Sequence, residues 1–190
     1  MSSGNYYYFV ASLPHLNYGD NPPMGSEEFK EKCKGFLSKQ DAALIQYCSY
    51  DPKLAIETVK STGSAFIDFI LLRERIVNLS LVRLRAVRLN RQTGEDVPHD
   101  MPRAEAMAKT AFEMDNPLEA ELSMDRARWG ILDEMVGVNI FGANTIFAYL
   151  LKLQLLERKQ RFDSVKGAAE YRNIYDTVLN EYKSKVKEDT

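Results

Sequence analysis

Histidine and cysteine are the side chains that most often bind metals or act as catalysts, and this sequence has few of either. Its two histidines, His15 and His99, lie in proline-flanked loops and belong to no Glu-x-x-His or His-x-x-x-His pattern. A di-iron bundle or a zinc hydrolase needs such spacing, because several ligands must reach one ion together. We therefore expect neither a metal site nor a bound cofactor.

The glycine and serine patterns point to no phosphate-binding loop and no catalytic nucleophile. The ten glycines are scattered, and the stretch from Gly137 to Gly142 lacks the lysine and the preceding strand of a phosphate-binding loop. No Gly-x-Ser-x-Gly sequence occurs. We predict that the protein is not an enzyme. A catalytic site built only from carboxylates is the alternative, since acidic residues are plentiful.

Asp125 is the one carboxylate whose position suggests a chemical role. It falls on the face that Leu122, Trp129 and Leu132 form on a predicted helix, so we expect it to point inward or toward an interface. One hypothesis is an acid with a perturbed pKa that transfers protons. The favoured hypothesis is an ion pair with Arg128 or with an arginine of the long helix, because a buried charge needs a partner.

Residues 73–91 are strongly basic. Their arginines are Arg73, Arg75, Arg83, Arg85, Arg88 and Arg91. Glu74 is the only acidic residue in this stretch, so six arginines against one glutamate give a local charge of +5. A helix that lies on phosphates carries its cations on one side, whereas these point in nearly all directions. We expect Arg83, Arg85 and Arg88 to form buried ion pairs with carboxylates of neighbouring helices.

The periodicity of apolar residues predicts an all-α protein with about six or seven helices in a single domain, residues 1–190. The longest helix is expected at residues 64–91, which contain no glycine or proline. Apolar residues occur on every side of this helix, so we place it at the centre of the fold, covered by its neighbours. Residues 1–25 are expected to form an N-terminal docking segment and loop, in which residues 6–13 are either a strand or a helix.

Residues with known capping preferences mark the starts of the other helices. Ser26 and Ser38 are expected to cap two short helices, and Asp51-Pro52 to end the second of them. Asn116 is expected to cap a helix that begins at Pro117 and has apolar residues on two faces.

Glycine and proline mark the connections. Residues 92–102 are predicted to be a loop, and Gly137 and Gly142 to bracket a break before a helix over residues 145–162. A last helix is expected after Gly167.

The composition is that of a globular protein, with 45% hydrophobic residues, 27% charged residues and a net charge of −2. Cys33 and Cys48 have no metal-binding spacing and are expected to be free thiols in a reducing compartment. The N-terminus shows no signal-peptide pattern, and polar residues interrupt the apolar stretches 65–72 and 140–156. We therefore expect a cytoplasmic protein without a transmembrane segment.

Three parts of the sequence resemble a family of uncharacterised proteins. They are YYYFVASLP at residues 6–14, NPLEAE at residues 116–121 with DRARW at residues 125–129, and YLLKLQLLER at residues 149–158. This family is encoded beside the subunits of bacterial V/A-type ATPases and resembles the C subunit of these enzymes. The resemblance covers most of the chain and includes no catalytic signature.

The resemblance implies a non-catalytic component of a rotary ATPase, with a fold and role like those of the C subunit. The C subunit is an all-helical funnel that lies on the membrane rotor ring, receives the central shaft and couples ATP turnover to ion movement. The expected partners are therefore other ATPase subunits, the shaft and the ring. The expected location is the cytoplasmic face of the inner membrane, with the protein bound peripherally through the complex.

Arg158, Lys159 and Arg161 form the basic end of the helix over residues 145–162 and are our candidates for an interface with a neighbouring protein of the complex. The alternative to an ATPase component is a helical adaptor, either nucleic-acid-binding or regulatory, that is unrelated to the ATPase. The net charge of −2 gives no overall attraction to nucleic acid, so we expect none as a partner.

Overall fold

The computed structural model describes residues 6–57, 61–91 and 101–162 of the chain, and these residues form helices and loops without a β-strand. The predicted all-α fold is therefore confirmed. Eight α-helices lie in the described ranges, where six or seven were expected for the whole chain. They are α1 (Tyr7–Ala11), α2 (Ser26–Lys34), α3 (Lys39–Leu44), α4 (Pro52–Glu57), α5 (Ala65–Arg88), α6 (Pro102–Glu113), α7 (Pro117–Val136) and α8 (Ala143–Arg161).

The chain divides into two compact units, residues 1–157 and residues 158–190. The second unit is described at residues 158–162 only. The expectation of a single domain stays a prediction, and the helix expected after Gly167 lies outside the described residues. None of the helices in the described part of the chain is long and apolar enough to cross a membrane.

The N-terminal segment, for which the sequence left strand and helix open, contains the helix α1. The Tyr6 N–H donates to the Phe141 carbonyl at 2.8 Å. The Phe9 ring stacks on the rings of Phe29 and Phe36, with centroids 5.9 and 4.6 Å away. A helix pairs its backbone N–H and C=O groups within itself, whereas a strand needs a neighbouring strand to pair them. Helix is therefore the conformation expected where no neighbouring strand is present.

The loop that follows α1 packs on α7 and α8. The Tyr18 hydroxyl donates to the Leu122 carbonyl at 3.1 Å, and its ring meets the Trp129 ring edge-on. The Tyr149 hydroxyl donates to the Pro14 carbonyl at 3.0 Å. These long-range bonds hold the loop on the helices that form the core.

Side-chain caps begin α3 and α7. Ser38 Oγ accepts from the Asp41 N–H at 3.1 Å, as expected for the start of α3. Asn116 Oδ1 accepts from the Leu118 N–H at 3.0 Å, and Pro117 occupies the first position of α7. Each cap satisfies a backbone donor that has no partner within its own helix.

Ser26 does not cap α2 in the expected way. It is the first residue of the helix, and Gly25 precedes it in extended conformation. The Ser26 N–H and hydroxyl both donate to the Glu157 carboxylate, at 2.6 and 2.7 Å. A carboxylate from α8 therefore satisfies the N-terminus of α2, and its negative charge suits the positive end of the helix dipole.

Pro52 and Pro102, which the sequence places at breaks between helices, are also the first residues of helices. Pro52 is the first residue of α4, where Asp51 Oδ1 accepts from the Lys53 N–H at 2.9 Å. Pro102 is the first residue of α6, at the end of the segment expected to be a connection. Proline has no N–H to leave unpaired and its φ already suits a helix, so it is tolerated at this position.

The long helix α5 has 24 residues and begins after Ser64, whose Oγ accepts from the Ile67 N–H at 3.4 Å. It ends where Asn90 adopts a left-handed φ of 52° and the Arg91 N–H reaches back to the Ala86 carbonyl at 2.9 Å. This Schellman-type ending closes the last turn without a glycine.

Burial along α5 is uneven. All of the buried residues of this helix lie between Phe66 and Leu81. Beyond them Val82, Val87 and Leu89 are 51%, 67% and 64% exposed. The first two thirds of α5 are therefore central, as the apolar pattern predicts, whereas the last third is a surface.

The core contains two hydrophobic clusters. The larger one joins α1, α2, the start of α5, the end of α7 and α8, and eight residues of α8 are buried in it. The smaller cluster joins α5, α6 and the start of α7. Its α6 members are alanines at helical spacing, Ala104, Ala108 and Ala111, and such small side chains allow close helix approach.

We expect Glu157→Gln to lower the free energy of unfolding by about 1 kcal/mol, because both bonds to Ser26 lose their charged acceptor. Chemical denaturation of the full chain would measure this. Glu27→Gln is the matched control: Glu27 pairs with Lys30 on the surface of α2, and its loss should cost less than about 0.5 kcal/mol. Equal losses of unfolding free energy in the two variants would show that Glu157 does not stabilise the N-terminus of α2.

Candidate functional site

Four charged side chains meet between α5 and α7, and all of them are buried. Glu74 and Arg128 are at the centre: Arg128 Nε lies 3.1 Å from each Glu74 oxygen, and Arg128 Nη2 lies 2.7 Å from Oε2. Arg128 Nη1 donates to Asp125 Oδ1 at 2.8 Å, and Arg73 Nη1 donates to Glu74 Oε1 at 3.1 Å. No member is more than 6% exposed. We call these four residues the buried ion network.

The two helices position the network by simple spacing. Asp125 and Arg128 are three residues apart on α7 and therefore share a face. On α5, Arg73 and Glu74 are flanked by apolar residues of the larger cluster before them and of the smaller cluster after them. On α7 the pair likewise lies between Met124 of the smaller cluster and Trp129 of the larger. The network thus lies where the two clusters meet.

The charges of the network balance, with two arginines and two carboxylates. Burial works against the charged form of Arg128, but Glu74 and Asp125 more than offset it and raise its pKa. Burial lowers the pKa of Arg73, and its single carboxylate partner, Glu74, offsets this only in part. The hypothesis of an ion pair between Asp125 and Arg128 agrees with this geometry.

Tyr50 covers one side of the network. Its ring lies 5.3 Å from the guanidinium carbon of Arg128, a cation–π distance. Burial, and then the charge of Glu74, raise the pKa of the Tyr50 hydroxyl. This hydroxyl is buried and has no hydrogen-bond partner among the described residues.

The sequence did not identify Glu74, Arg73 or Tyr50 as parts of a site. A signal for Glu74 was present, because it is the only acidic residue of a long basic and apolar stretch. Nothing local identified its partner, since Arg128 lies 54 residues away.

The expectation for Arg83, Arg85 and Arg88 is wrong. All three are exposed, and within the described ranges none lies at ion-pair distance from a carboxylate. They follow Leu81, the point after which α5 leaves the core. Arg88 instead lies over the Phe112 ring at 5.8 Å.

Two of these arginines line an open groove of about 400 Å³ between α5, α6 and α7. Its apolar lining includes Leu81, Leu89, Ala111, Phe112, Met114 and Met124. Arg85 and Arg88 supply the positive charge, and Glu121 supplies the one carboxylate. We call this feature the basic groove.

The other predicted residues lie apart from both features. Arg158, Lys159 and Arg161 form the last turn of α8, where Arg158 lies over the Phe162 ring at 5.8 Å and Arg161 is exposed. Their role as an interface stays a prediction. His15 is exposed in its loop, and His99 lies outside the described residues.

Within residues 6–57, 61–91 and 101–162, no group of three or more His, Cys, Asp or Glu residues is arranged to hold a metal ion. Cys33 and Cys48 are both free and buried. Burial raises the pKa of the Cys33 thiol to about 12 and that of the Cys48 thiol further.

A family model matches part of the chain. It is described as a protein of unknown function (DUF2764) and matches residues 96–182, which is less than half of the sequence. The matched range includes α6, α7 and α8, and therefore Asp125 and Arg128, but neither Arg73 nor Glu74. A search of curated proteins and a search of solved structures found no match.

We expect Glu74→Gln to destabilise the protein by about 3–5 kcal/mol, because two buried arginines would then share one carboxylate. Denaturant unfolding would measure the change. Glu134→Gln is the control, since the Arg103–Glu134 ion pair is exposed and should contribute less than about 1 kcal/mol. If Glu74→Gln were as mild as this control, the network would not hold α5 against α7.

We also expect both cysteines to resist alkylation in the native protein. A thiol whose pKa is raised to about 12 is almost entirely protonated at pH 8, and both thiols are nearly inaccessible. Reaction with a thiol-specific chromophoric reagent should be slow at pH 8, and denaturant should accelerate it strongly. Rapid modification of the folded protein would show that one thiol is reactive.

Proposed function

We propose that the protein is a non-catalytic component of a bacterial V/A-type rotary ATPase, similar to the C subunit that couples the central shaft to the membrane rotor ring. The resemblance of the sequence suggests the complex. The observation that supports a binding role is the basic groove, where the exposed Arg85 and Arg88 lie beside apolar side chains. On this proposal the protein is cytoplasmic and is held at the inner membrane by its partners.

A protein that couples a shaft to a ring needs a body that transmits force without deforming. Closely packed helices meet this need, because protein interiors are dense and poorly compressible. In this chain the buried residues of α8 supply such packing, and the buried ion network ties α5 to α7. Both features support a mechanical role without requiring any reaction at the site.

The occupant of the basic groove that we propose is an acidic, amphipathic segment of a neighbouring protein in the ATPase. Arg85 and Arg88 are three residues apart and share one side of α5. An acidic partner would compensate their charge, while its apolar residues would cover Leu89 and Phe112. Complementary charge of this kind favours one partner and speeds its association.

One observation favours the alternative of a nucleic-acid-binding adaptor, which is the exposure of Arg83, Arg85 and Arg88 on a single helix. Phosphate binding would use all three. Only Arg85 and Arg88 line the groove, however, and Arg83 points to another side of α5. The apolar lining of the groove also suits a protein segment better than a phosphate backbone.

Affinity purification of the tagged full chain from its native membranes tests the proposal. We expect it to recover shaft or rotor proteins of the ATPase. The double variant Arg85→Glu/Arg88→Glu should reduce recovery roughly tenfold, because the acidic partner would face like charge. The matched control is Lys32→Glu/Lys34→Glu, which changes as many exposed charges on α2 and should leave recovery unchanged.

Recovery of no ATPase component by the unchanged protein would overturn the proposal. Equal recovery by the groove variant would show that the contact lies on another surface. The last turn of α8 would then be the first surface to test. Tight binding of DNA or RNA that weakens steeply with salt, and is lost in the Arg85→Glu/Arg88→Glu variant, would establish the adaptor instead.

A further inference from the structure

Two segments without charged residues lie side by side at the turn between α7 and α8. Residues 135–151 contain no charged side chain, and residues 6–14 contain none either. The Tyr6 N–H donates to the Phe141 carbonyl at 2.8 Å, and the ring centroids of Tyr7 and Phe141 lie 4.6 Å apart. In a chain of which 27% is charged, two uncharged segments in contact form a distinct surface.

Large apolar side chains of this surface point into solvent. Val138 is fully exposed, and Ile140 is 50% exposed. On α1, Tyr7 and Tyr8 are 49% and 87% exposed, and their rings meet edge-on with centroids 5.5 Å apart. We call these four side chains the apolar tip. Single exposed apolar residues are normal on a protein surface, whereas a group of them marks a contact with another protein or with a membrane.

The backbone holds the loop of the apolar tip in one shape. Gly137 ends α7 with a φ of 58°, a conformation that favours glycine. The Asn139 carbonyl accepts from the Gly142 N–H at 3.1 Å. A Cβ on Gly142 would lie only 2.7 Å from the Asn139 side chain, and glycine avoids this clash. The loop therefore presents Val138 and Ile140 to solvent in a fixed way.

A protein partner fits the apolar tip poorly. The tip offers no charged group, and charge complementarity is what selects one protein partner among many. A second copy of the chain is also unsuitable, because four side chains are far fewer than the roughly 20 residues that each partner supplies to a standard interface. The tip also protrudes, since nothing among the described residues covers Val138. A partner protein would need a matching pocket, whereas a fluid lipid layer closes around a protruding side chain.

The composition of the apolar tip suits a membrane surface. Tyrosine rings favour the membrane–water interface, where the ring meets acyl chains and the hydroxyl meets headgroups and water. Val138 and Ile140 are aliphatic and would enter the layer beneath the headgroups. The carbonyls of Asn139 and Phe141 already accept hydrogen bonds within the protein, which lowers the cost of removing them from water. No charged side chain of either segment would have to leave water.

We propose that the apolar tip inserts into the interfacial layer of a phospholipid membrane, through the hydrophobic effect and without selecting a charged headgroup. The tip follows the end of α7, whereas the basic groove lies at the start of this helix, which is about 30 Å long. The lipid contact goes beyond the proposed function, in which only partner proteins hold the chain at the membrane. Vesicles without protein test it alone, so either proposal can fail while the other stands.

Sedimentation of the full chain with phosphatidylcholine vesicles tests the lipid contact. We expect the bound fraction to increase with lipid concentration. Val138→Asp/Ile140→Asp should lower the partition coefficient at least roughly tenfold, because the two aliphatic side chains no longer leave water. The matched control is Val82→Asp/Val87→Asp, which makes the same kind of change at exposed positions of α5 and should leave partitioning unchanged. Circular dichroism would confirm that both variants are folded.

Lipid charge distinguishes insertion of the apolar tip from electrostatic binding. Replacing part of the phosphatidylcholine by phosphatidylglycerol, or adding salt, should change the partition coefficient less than about twofold. A fluorophore locates the contact: brominated phosphatidylcholine should quench the emission of Ile140→Trp, and should leave that of Val87→Trp unchanged. Trp129 is buried and gives both variants the same background emission.

The proposal is overturned if the unchanged protein does not sediment with phosphatidylcholine vesicles, or if the Val138→Asp/Ile140→Asp variant sediments equally well. Binding that requires phosphatidylglycerol and is lost in salt would overturn it in favour of the exposed arginines. A dimer without lipid, dissociated by Val138→Asp/Ile140→Asp in ultracentrifugation, would show that the tip joins two copies. Loss of ATPase components from this variant in affinity purification, without any loss of vesicle binding, would show that the tip contacts a protein instead.

Discussion

The contact between Glu74 and Arg128 is the interaction on which the arrangement of the helices depends. It joins α5 and α7 through three hydrogen bonds. Asp125 also bonds to Arg128, and Arg73 also bonds to Glu74. Removing four charges from water costs several kcal/mol per ion before the pairing energy is recovered. Apolar side chains of similar volume would fill the same space at no such cost. The charges instead restrict how α5 and α7 can be oriented relative to each other, because a two-pronged guanidinium–carboxylate contact has few acceptable geometries.

This restriction on the orientation of the helices matters because the core consists of two separate hydrophobic clusters. Apolar clusters tolerate sliding of one helix on another, since dispersion and burial do not depend on a single geometry. Here the larger and smaller clusters lie on opposite sides of the same ion network. A shift of α7 along α5 by one turn would separate Arg128 from Glu74 and leave each of them buried with only the partner on its own helix, Asp125 or Arg73. The network therefore fixes how α5 and α7 are aligned, and with them the shape of the basic groove between them.

The sequence predicted features that depend on neighbours a few residues apart. The caps at Ser38 and Asn116, and the break between α7 and α8, follow from local backbone chemistry. Features that depend on distant residues were not predictable in this way. Ser26 was expected to cap a helix, and its partner turned out to be Glu157, 131 residues away. Pro52 and Pro102 mark a helix boundary whether a helix ends before the proline or begins at it. Only the three-dimensional structure shows that a helix begins at each of them.

The arginines of α5 show that the burial of a side chain, and not its residue type, decides the role of its charge. Arg73 lies within the buried part of the helix and is held by Glu74. Arg85 and Arg88 lie beyond Leu81, where α5 leaves the core, and water replaces the carboxylates that burial would have required. One uninterrupted helix thus carries a fixed interior charge and, about three to four turns further on, two surface charges. Since a helix is stiff over that length, the network that aligns α5 also sets the direction in which the basic groove faces.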